Sequence, residues 1–512
     1  MKWIKENKEK IYDKTNFVIE FFVALVLAIA IFKIETRKVQ FCYISRLNTG
    51  ISIISGLMII GIIILNCIKY KDNLPKLFVT FVIPIGMLYA IINPIGNVPD
   101  EEAHIFRAYD FSCGNFITPL GEKNEGEIFV PEQMLKIAQN TNKFAINREL
   151  LSQEADYQNI VSVDTITKTY FPINYMTGAL GFFIGRTFNI NIIAICYAIR
   201  VINFALFVII GYLSIKIIPF GKLLLSIYMF LPMILQQAAS LSADSFINTI
   251  AIFFIAYNLK LLFQEKDLSL KQSLIYYVLS VSLALCKYAY FPLTFMSLLL
   301  IKNKNLSKAK RNQLIIISIV ISIISAVGWF VFSQQYVDLR LYIKQANVQA
   351  IEQLKGILKD PIRYVNVFMN TIEQRGDSYL LTFIGSDLGV LNIKTATIYI
   401  LIMLFGLCIL PFLEENEKSL EKLQKLLMVI VTMILIGLIV TGLYLTWSPL
   451  GADIVAGVQG RYFIPVFILT LLAVIKKNNN VKINNIQLKY FIIYLVFNII
   501  PIINLIKFCV NK

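Results

Sequence analysis

Charge is what this sequence has least of. Asp, Glu, Lys and Arg together make up 16% of its 512 residues, whereas ordinary soluble domains run near a quarter. With 57% hydrophobic residues, the chain cannot have water as its main solvent. Histidine is down to a single residue, His104, and the seven cysteines (42, 67, 113, 196, 286, 408 and 509) contain no CxxC and no pairing pattern. Neither a disulfide framework nor a structural zinc site is implied, and most of these thiols, lying in or beside apolar runs, read as core residues. A Walker A loop, a dinucleotide fingerprint, a haem-attachment motif and a redox pair are also missing, which disfavours chemistry driven directly by nucleotides. No soluble stretch of the usual domain length separates the apolar runs, so the chain reads as one membrane domain with loops.

What is present is a series of apolar runs near 20 residues, long enough to cross about 30 Å of hydrocarbon. They fall at 17–34, 50–68, 77–95, 192–215, 222–240, 246–263, 272–288, 289–301, 313–333, 395–412, 426–446, 461–475 and 489–507. The expected fold is all-α, a polytopic integral membrane protein with about thirteen transmembrane helices. The pair 272–301 is short for two crossings and is open to being one long or broken helix.

The net charge of +16 points at first sight to nucleic acid, but the basic residues sit in short clusters between apolar runs, as at Lys2, Lys5, Lys8, Lys10 and Lys14. That is the positive-inside pattern, and nucleic acid is not an expected partner. The first apolar run follows this Lys-rich stretch and lacks a small-residue cleavage site. It reads as a retained span, placing the chain in the cell membrane with a cytoplasmic N-terminus. The apolar segment Pro172 to Thr187 decides the remaining topology. If it lies at the interface, Lys216 and Lys222, Lys266 and Lys271, Lys302 through Arg311, Lys418 through Lys425, and Lys476 and Lys477 all fall on the N-terminal side. Counted as a crossing, it would throw them outside, so it is read as an interfacial helix. One loop, with Arg37, Lys38 and Arg46, disobeys in either reading. Two long external regions result, 97–170 and 333–394, with short ones around Asp244 and Asp453.

The sharpest local signal is Val98 to Gly114, directly after the third span: Pro99, then Asp100, Glu101 and Glu102, then His104, Arg107 and a stop at Gly114. Proline at a first helical position, acids in the first turn and a terminal glycine predict a short helix of about four turns. Spacings of four and three put Asp100, His104 and Arg107 on one face at the membrane surface. A carboxylate beside the only histidine suits general-base work or a divalent cation, although acids also favour helix starts as plain caps. A catalytic zinc has too few ligands here. A second acid, Asp244, sits in a very short loop between apolar runs, where ionisable groups are costly and tend to be functional; a helix N-cap is the ordinary alternative. Lys287, in Cys286-Lys-Tyr288, interrupts an apolar stretch and suggests a buried anionic partner or a snorkelling end. From Trp447 to Pro465 the chain carries Asp453, Gly457, Gln459, Arg461 and Tyr462. Glycines there allow close backbone approach, and Arg461 at the mouth of a span can grip a phosphate with two parallel bonds or serve as an interfacial anchor. Tyr170, within Lys168 to Tyr175, has aromatic and amide neighbours suited to stacking on a sugar ring, as aromatic belts also have.

Three of these stretches carry a family resemblance: Pro99 to Arg107, Ser242 to Asp244 with Cys286 to Tyr288, and Gly457 to Pro465. Together they resemble the bacterial predicted membrane proteins of domain of unknown function 2142, grouped with the GT-C class of polytopic glycosyltransferases. The resemblance brackets residues 77–475 as a GT-C-like core. It leaves 1–76 as a cytoplasmic tail with two accessory helices and 476–512 as a C-terminal transmembrane helix. It implies a membrane transferase that moves a sugar from a polyprenyl-phosphate donor to a cell-envelope glycan or lipid acceptor on the external face, among membrane lipid. By position it makes Asp100 the base or acceptor-orienting carboxylate, Glu101 its partner and Asp244 a second acid. Lys287 and Arg461 would neutralise the departing phosphate, with His104, Arg107, Tyr170, Tyr288, Asp453 and Gln459 in support. No large soluble C-terminal domain is present, which disfavours a peptide acceptor. A divalent cation is left open by the residues. So are three other functions: a transporter or flippase for lipid-linked sugars, a polysaccharide polymerase or ligase, and a scaffold without chemistry.

Overall fold

The computed structural model of the protein describes residues 2–35, 42–118, 128–336, 347–477 and 485–510. Arg37, Lys38 and the side chain of Arg46 lie outside the described residues, as do 119–127 and 337–346 of the two long loops. The chain folds as α-helices: α1 (Lys2–Glu35), α2 (Cys42–Tyr70), α3 (Leu74–Ile92), α4 (Glu101–Ser112), α5 (Glu132–Gln139), α6 (Lys143–Leu151), α7 (Met176–Thr187), α8 (Ile192–Ile217), α9 (Lys222–Tyr228), α10 (Pro232–Ala238), α11 (Ala243–Leu262) and α12 (Leu270–Cys286). After a 3₁₀ segment, Tyr288–Lys302, come α13 (Lys308–Ser333), α14 (Ala350–Lys359), α15 (Pro361–Ile384), α16 (Thr397–Leu413), α17 (Lys422–Thr446), α18 (Ile464–Val474) and α19 (Ile486–Val510). Among the described residues, sheet is confined to two small antiparallel pairs in the loops, one of them Ile128–Pro131 with Ile160–Val163.

Eight helices among the described residues are long and apolar enough to cross a bilayer, and four shorter apolar helices accompany them. The expected span at 222–240 is not one helix. It breaks between Tyr228 and Pro232 into α9 and α10, because proline cannot donate to the preceding turn and its ring clashes with it. The segment still runs from one face to the other: Gly221 N–H donates to Asn416 Oδ1 at one end, and Leu241 N–H to Glu101 Oε1 at the other. The stretch 270–302 is a hairpin of two rods. Lys287, with φ −159° and ψ 112°, ends α12 and starts the 3₁₀ segment. Wound at about 2.0 Å per residue, 15 residues reach about 30 Å, the thickness an α-helix of that length misses.

Contacts define two ends of the bundle. At one end Asp13 pairs with Lys69 and Lys76, Asp267 with Lys310, and Lys302 with Glu421, while Lys425 donates to the carbonyl of Ile475. Three of these lysines, Lys302, Lys310 and Lys425, come from the lysine clusters of the sequence. At the other end Arg200, in the first third of α8, donates to the carbonyls of Ala90, Asn93 and Pro94 at the end of α3. So α3 ends and α8 begins on the same side, and the segment between them does not cross. Helix α7, 12 residues and about 18 Å long, packs Gly178, Ala179, Gly181, Phe182 and Gly185 inward. It turns Met176, Leu180, Phe183 and Ile184 outward, as an interfacial helix does.

Cys113 is exposed at the Lys-poor end, while Lys310 lies at the opposite one. With the orientation that the lysines favour, an impermeant thiol reagent on whole cells is expected to label Cys113 but not cysteines placed at 310 or 422. Labelling at 310 or 422 would invert the orientation.

Candidate active site

Helix α4 starts at Glu101, two residues later than the proline suggests, and Asp100 takes the position before it with φ 63° and ψ 6°. Few residues other than glycine adopt that left-handed conformation, and strain of this kind gathers at functional sites. The Asp100 side chain makes no capping bond. It points to Arg461 instead, with Oδ2 at 2.5 Å from Nη2, and stays 55% exposed. At α11 the cap is Ser242, whose hydroxyl accepts from the Asp244 N–H, and Asp244 Oδ2 sits 2.5 Å from Nη1 of the same arginine. The Arg461 fork is thus divided between two carboxylates, and its Nε donates to Gln459 Oε1 at 2.7 Å. Arg461 and Asp244 are buried. The approach is close because Gly460 packs directly on the backbone of Tyr379 and Phe383 in α15, where any side chain would collide.

Lys287 arrives from the hairpin apex with Nζ 4.1 Å from the centre of the Tyr462 ring and 5.6 Å from that of Tyr290. Among the described residues no carboxylate lies within ion-pair distance of it. A cavity of about 220 Å³ opens here. Asp100, His104, Thr167, Tyr170, Lys287, Tyr288, Gln459 and Tyr462 form its polar side, and Trp329 and Phe330 of α13 with Leu438, Ile439, Gly442 and Leu443 of α17 its apolar side. Asp244 and Arg461 stand behind the wall. His104 Nδ1 is 2.7 Å from the Tyr175 hydroxyl. Burial, against the pull of Asp100 and Asp244, pushes its imidazole down to about 4, so at neutral pH it is a neutral hydrogen-bonding group.

Three expected site residues lie elsewhere. Glu101 is fully buried, and its two oxygens accept from Gly96 N, Leu241 N, Arg200 Nε and Arg200 Nη2. With four donors it is spoken for. Arg107 does not share the exposed face with Asp100; buried, it bonds Asp110 and the carbonyls of Asn115 and Phe116, fixing the loop after α4. Asp453 is a surface residue near Arg363, at 3.7 Å. Arg200 belongs to none of the short motifs, and its signal in the sequence is that it is the only charge in the run 192–215. No group of three His, Cys, Asp or Glu among the described residues could share a metal ion. Asp100 and Asp244 are both held by Arg461, so the donor set does not fit a divalent cation.

No curated protein and no solved structure matches the chain. The family model described as Predicted membrane protein (DUF2142) matches residues 83–470, most of the chain and all of the site just described, and the chain belongs to that family.

Proposed function

We propose that this protein is a membrane glycosyltransferase of the GT-C class. It would transfer a sugar from a polyprenyl-phosphate donor to a cell-envelope glycan or lipid acceptor at the external end of the bundle. The observation that carries this reading is that Asp100 and Lys287 line one cavity together with apolar residues from two candidate membrane spans, α13 and α17. A ligand with an anionic head and a lipid tail matches both kinds of lining.

In this reading Lys287 meets the donor phosphate first. A phosphate oxygen then exchanges with Asp100 at Nη2 of Arg461, because the guanidinium fork suits phosphate as well as carboxylate. Asp100, released, takes the proton of the acceptor hydroxyl. The acceptor oxygen bonds to the sugar C1 as the C1–O bond to phosphate breaks, and the two cations stabilise the polyprenyl phosphate that leaves. Asp244 stays on Nη1 and holds the arginine in place. Tyr170 and Tyr288, both in the cavity lining, would pack against the sugar.

Comparing cell-envelope glycans with and without the protein tests the proposal, with purified protein in proteoliposomes supplied with polyprenyl-phosphate sugars. A sugar missing from the glycan and restored by the protein is the expected result. Unchanged glycans, together with movement of the lipid-linked sugar across the vesicle, would replace the transferase by a transporter. Lys287→Gln is expected to raise the donor concentration needed for half-maximal transfer about ten- to a hundredfold, the worth of a charge-assisted bond of about 1.5 to 3 kcal/mol. Kinetics unchanged by Lys287→Gln would take that residue out of the donor site.

A further inference from the structure

We propose that Arg200, a residue outside the cavity, is the positioning residue of this site, setting the distance between Asp100 and Asp244 through Glu101. The inference rests on the transferase reading for its consequence and on geometry for its cause. Arg200 is fully buried in a membrane-spanning helix and spends its donors on two tasks. Its Nη1 and Nη2 bond the carbonyls of Ala90, Asn93 and Pro94, groups that the end of α3 leaves without helical partners. Nε and Nη2 grip the two oxygens of Glu101 at 2.8 and 2.5 Å.

Glu101 passes the constraint on in two directions. Its own backbone follows Asp100, and Oε2 also accepts from Gly96 N at 2.8 Å, which closes the turn Gly96 to Glu101 that holds Asp100 in its left-handed conformation. On the other side Oε1 accepts from Leu241 N at 3.0 Å, in the loop whose next residues are the Ser242 cap and Asp244. One bidentate pair therefore fastens together the end of α3, the start of α4, α8 and the loop before α11. The two carboxylates that Arg461 must bridge ride on the pieces so joined. A functional site tolerates about 0.5 Å of play, and buried supporting bonds of this kind are what hold it there.

The obvious variants strand one charge in the membrane and risk losing the fold, so the test removes both. In Arg200→Gln/Glu101→Gln both charges and the bidentate grip are lost, while an amide at each position keeps a donor for the carbonyls that Arg200 serves and an acceptor for the N–H groups that Glu101 serves. Nitroxides attached at 103 and 246, flanking Asp100 and Asp244, report the distance between the two pieces by electron–electron resonance in proteoliposomes. A single narrow distance is expected in the otherwise native protein. The double glutamine variant is expected to be recovered in the membrane at normal yield, with a distribution about twice as broad and transfer slowed about a hundredfold. Its affinity for polyprenyl phosphate, followed through Trp329 and Trp447 in the cavity wall, is expected to hold within about threefold. Arg200→Lys, which keeps the charge and loses the fork, is expected to fall between the two. Distributions of equal width, or transfer by the folded double variant within about threefold of the native rate, would overturn the proposal. If the native protein transfers no sugar, the functional reading fails by itself, and the distance widths still decide the positioning role.

Discussion

Asp100→Asn is expected to leave the protein in the membrane at normal yield, to slow transfer by roughly 100- to 10,000-fold, and at the same time to tighten donor binding. The first effect is the usual worth of a positioned general base, since the amide has nearly the shape of the carboxylate and cannot take a proton. The second follows from the observed pairing. Asp100 Oδ2 occupies Nη2 of Arg461 at 2.5 Å, so a donor phosphate has to displace it. An ionised acceptor holds an arginine about twice as strongly as a neutral one. Weakening the competitor by about 1 kcal/mol should therefore improve donor affinity roughly fivefold. Transfer rate against polyprenyl-phosphate sugar concentration in proteoliposomes separates the two effects, with kcat falling and the half-saturating concentration falling as well. A kcat within about threefold of the native value would remove Asp100 as the base. A half-saturating concentration that rises would show that phosphate and Asp100 do not compete for Arg461.

Arg461→Lys is the second large effect. Lysine keeps the charge but gathers its donors on one nitrogen. Arg461 reaches Asp244 through Nη1, Asp100 through Nη2 and Gln459 through Nε, and a single ammonium cannot span acids placed at the two tips of a guanidinium. At least one charge-assisted bond is lost, at a cost of about 1.5 to 3 kcal/mol, or roughly ten- to more than a hundredfold in kcat/KM. An arginine acting only as an interfacial anchor would be replaced by lysine with little change, so matching curves for the two proteins would sink the role given to it here. Removing the charge altogether says less. Arg461→Met leaves Asp244 buried without a partner, and a stranded buried charge costs about 3 to 5 kcal/mol of stability whatever its function.

Composition and hydropathy alone determine the class of this protein, because about 30 Å of hydrocarbon demands apolar runs of a set length and helical backbone within them. The lysine clusters likewise predict which loops share a face, and Asp267 with Lys310 and Lys302 with Glu421 bring those loops together. Periodicity is less reliable where proline intervenes. Pro232 divides an expected span into α9 and α10, and the hairpin at Lys287 crosses by winding its second arm as a 3₁₀ helix, which no window average registers.

At the site, the short motifs single out Asp100, Asp244, Lys287 and Arg461, because ionisable residues at the ends of spans are costly enough to be noticed. Their partners are another matter. Arg461 meets Asp244 across 217 positions of sequence and Asp100 across 361, and local spacing carries no information about such pairs. Of the adjacent acids Asp100 and Glu101, one faces the cavity and the other is locked to Arg200, 99 residues away. Spacing on a helix places Arg107 beside His104, yet it turns to the loop beyond α4. Which residues carry charge near the membrane surface is a property of the chain. Which of those charges meet the cavity and which are consumed holding it in shape is settled by packing, since a buried arginine takes whichever oxygens the fold brings within about 3 Å.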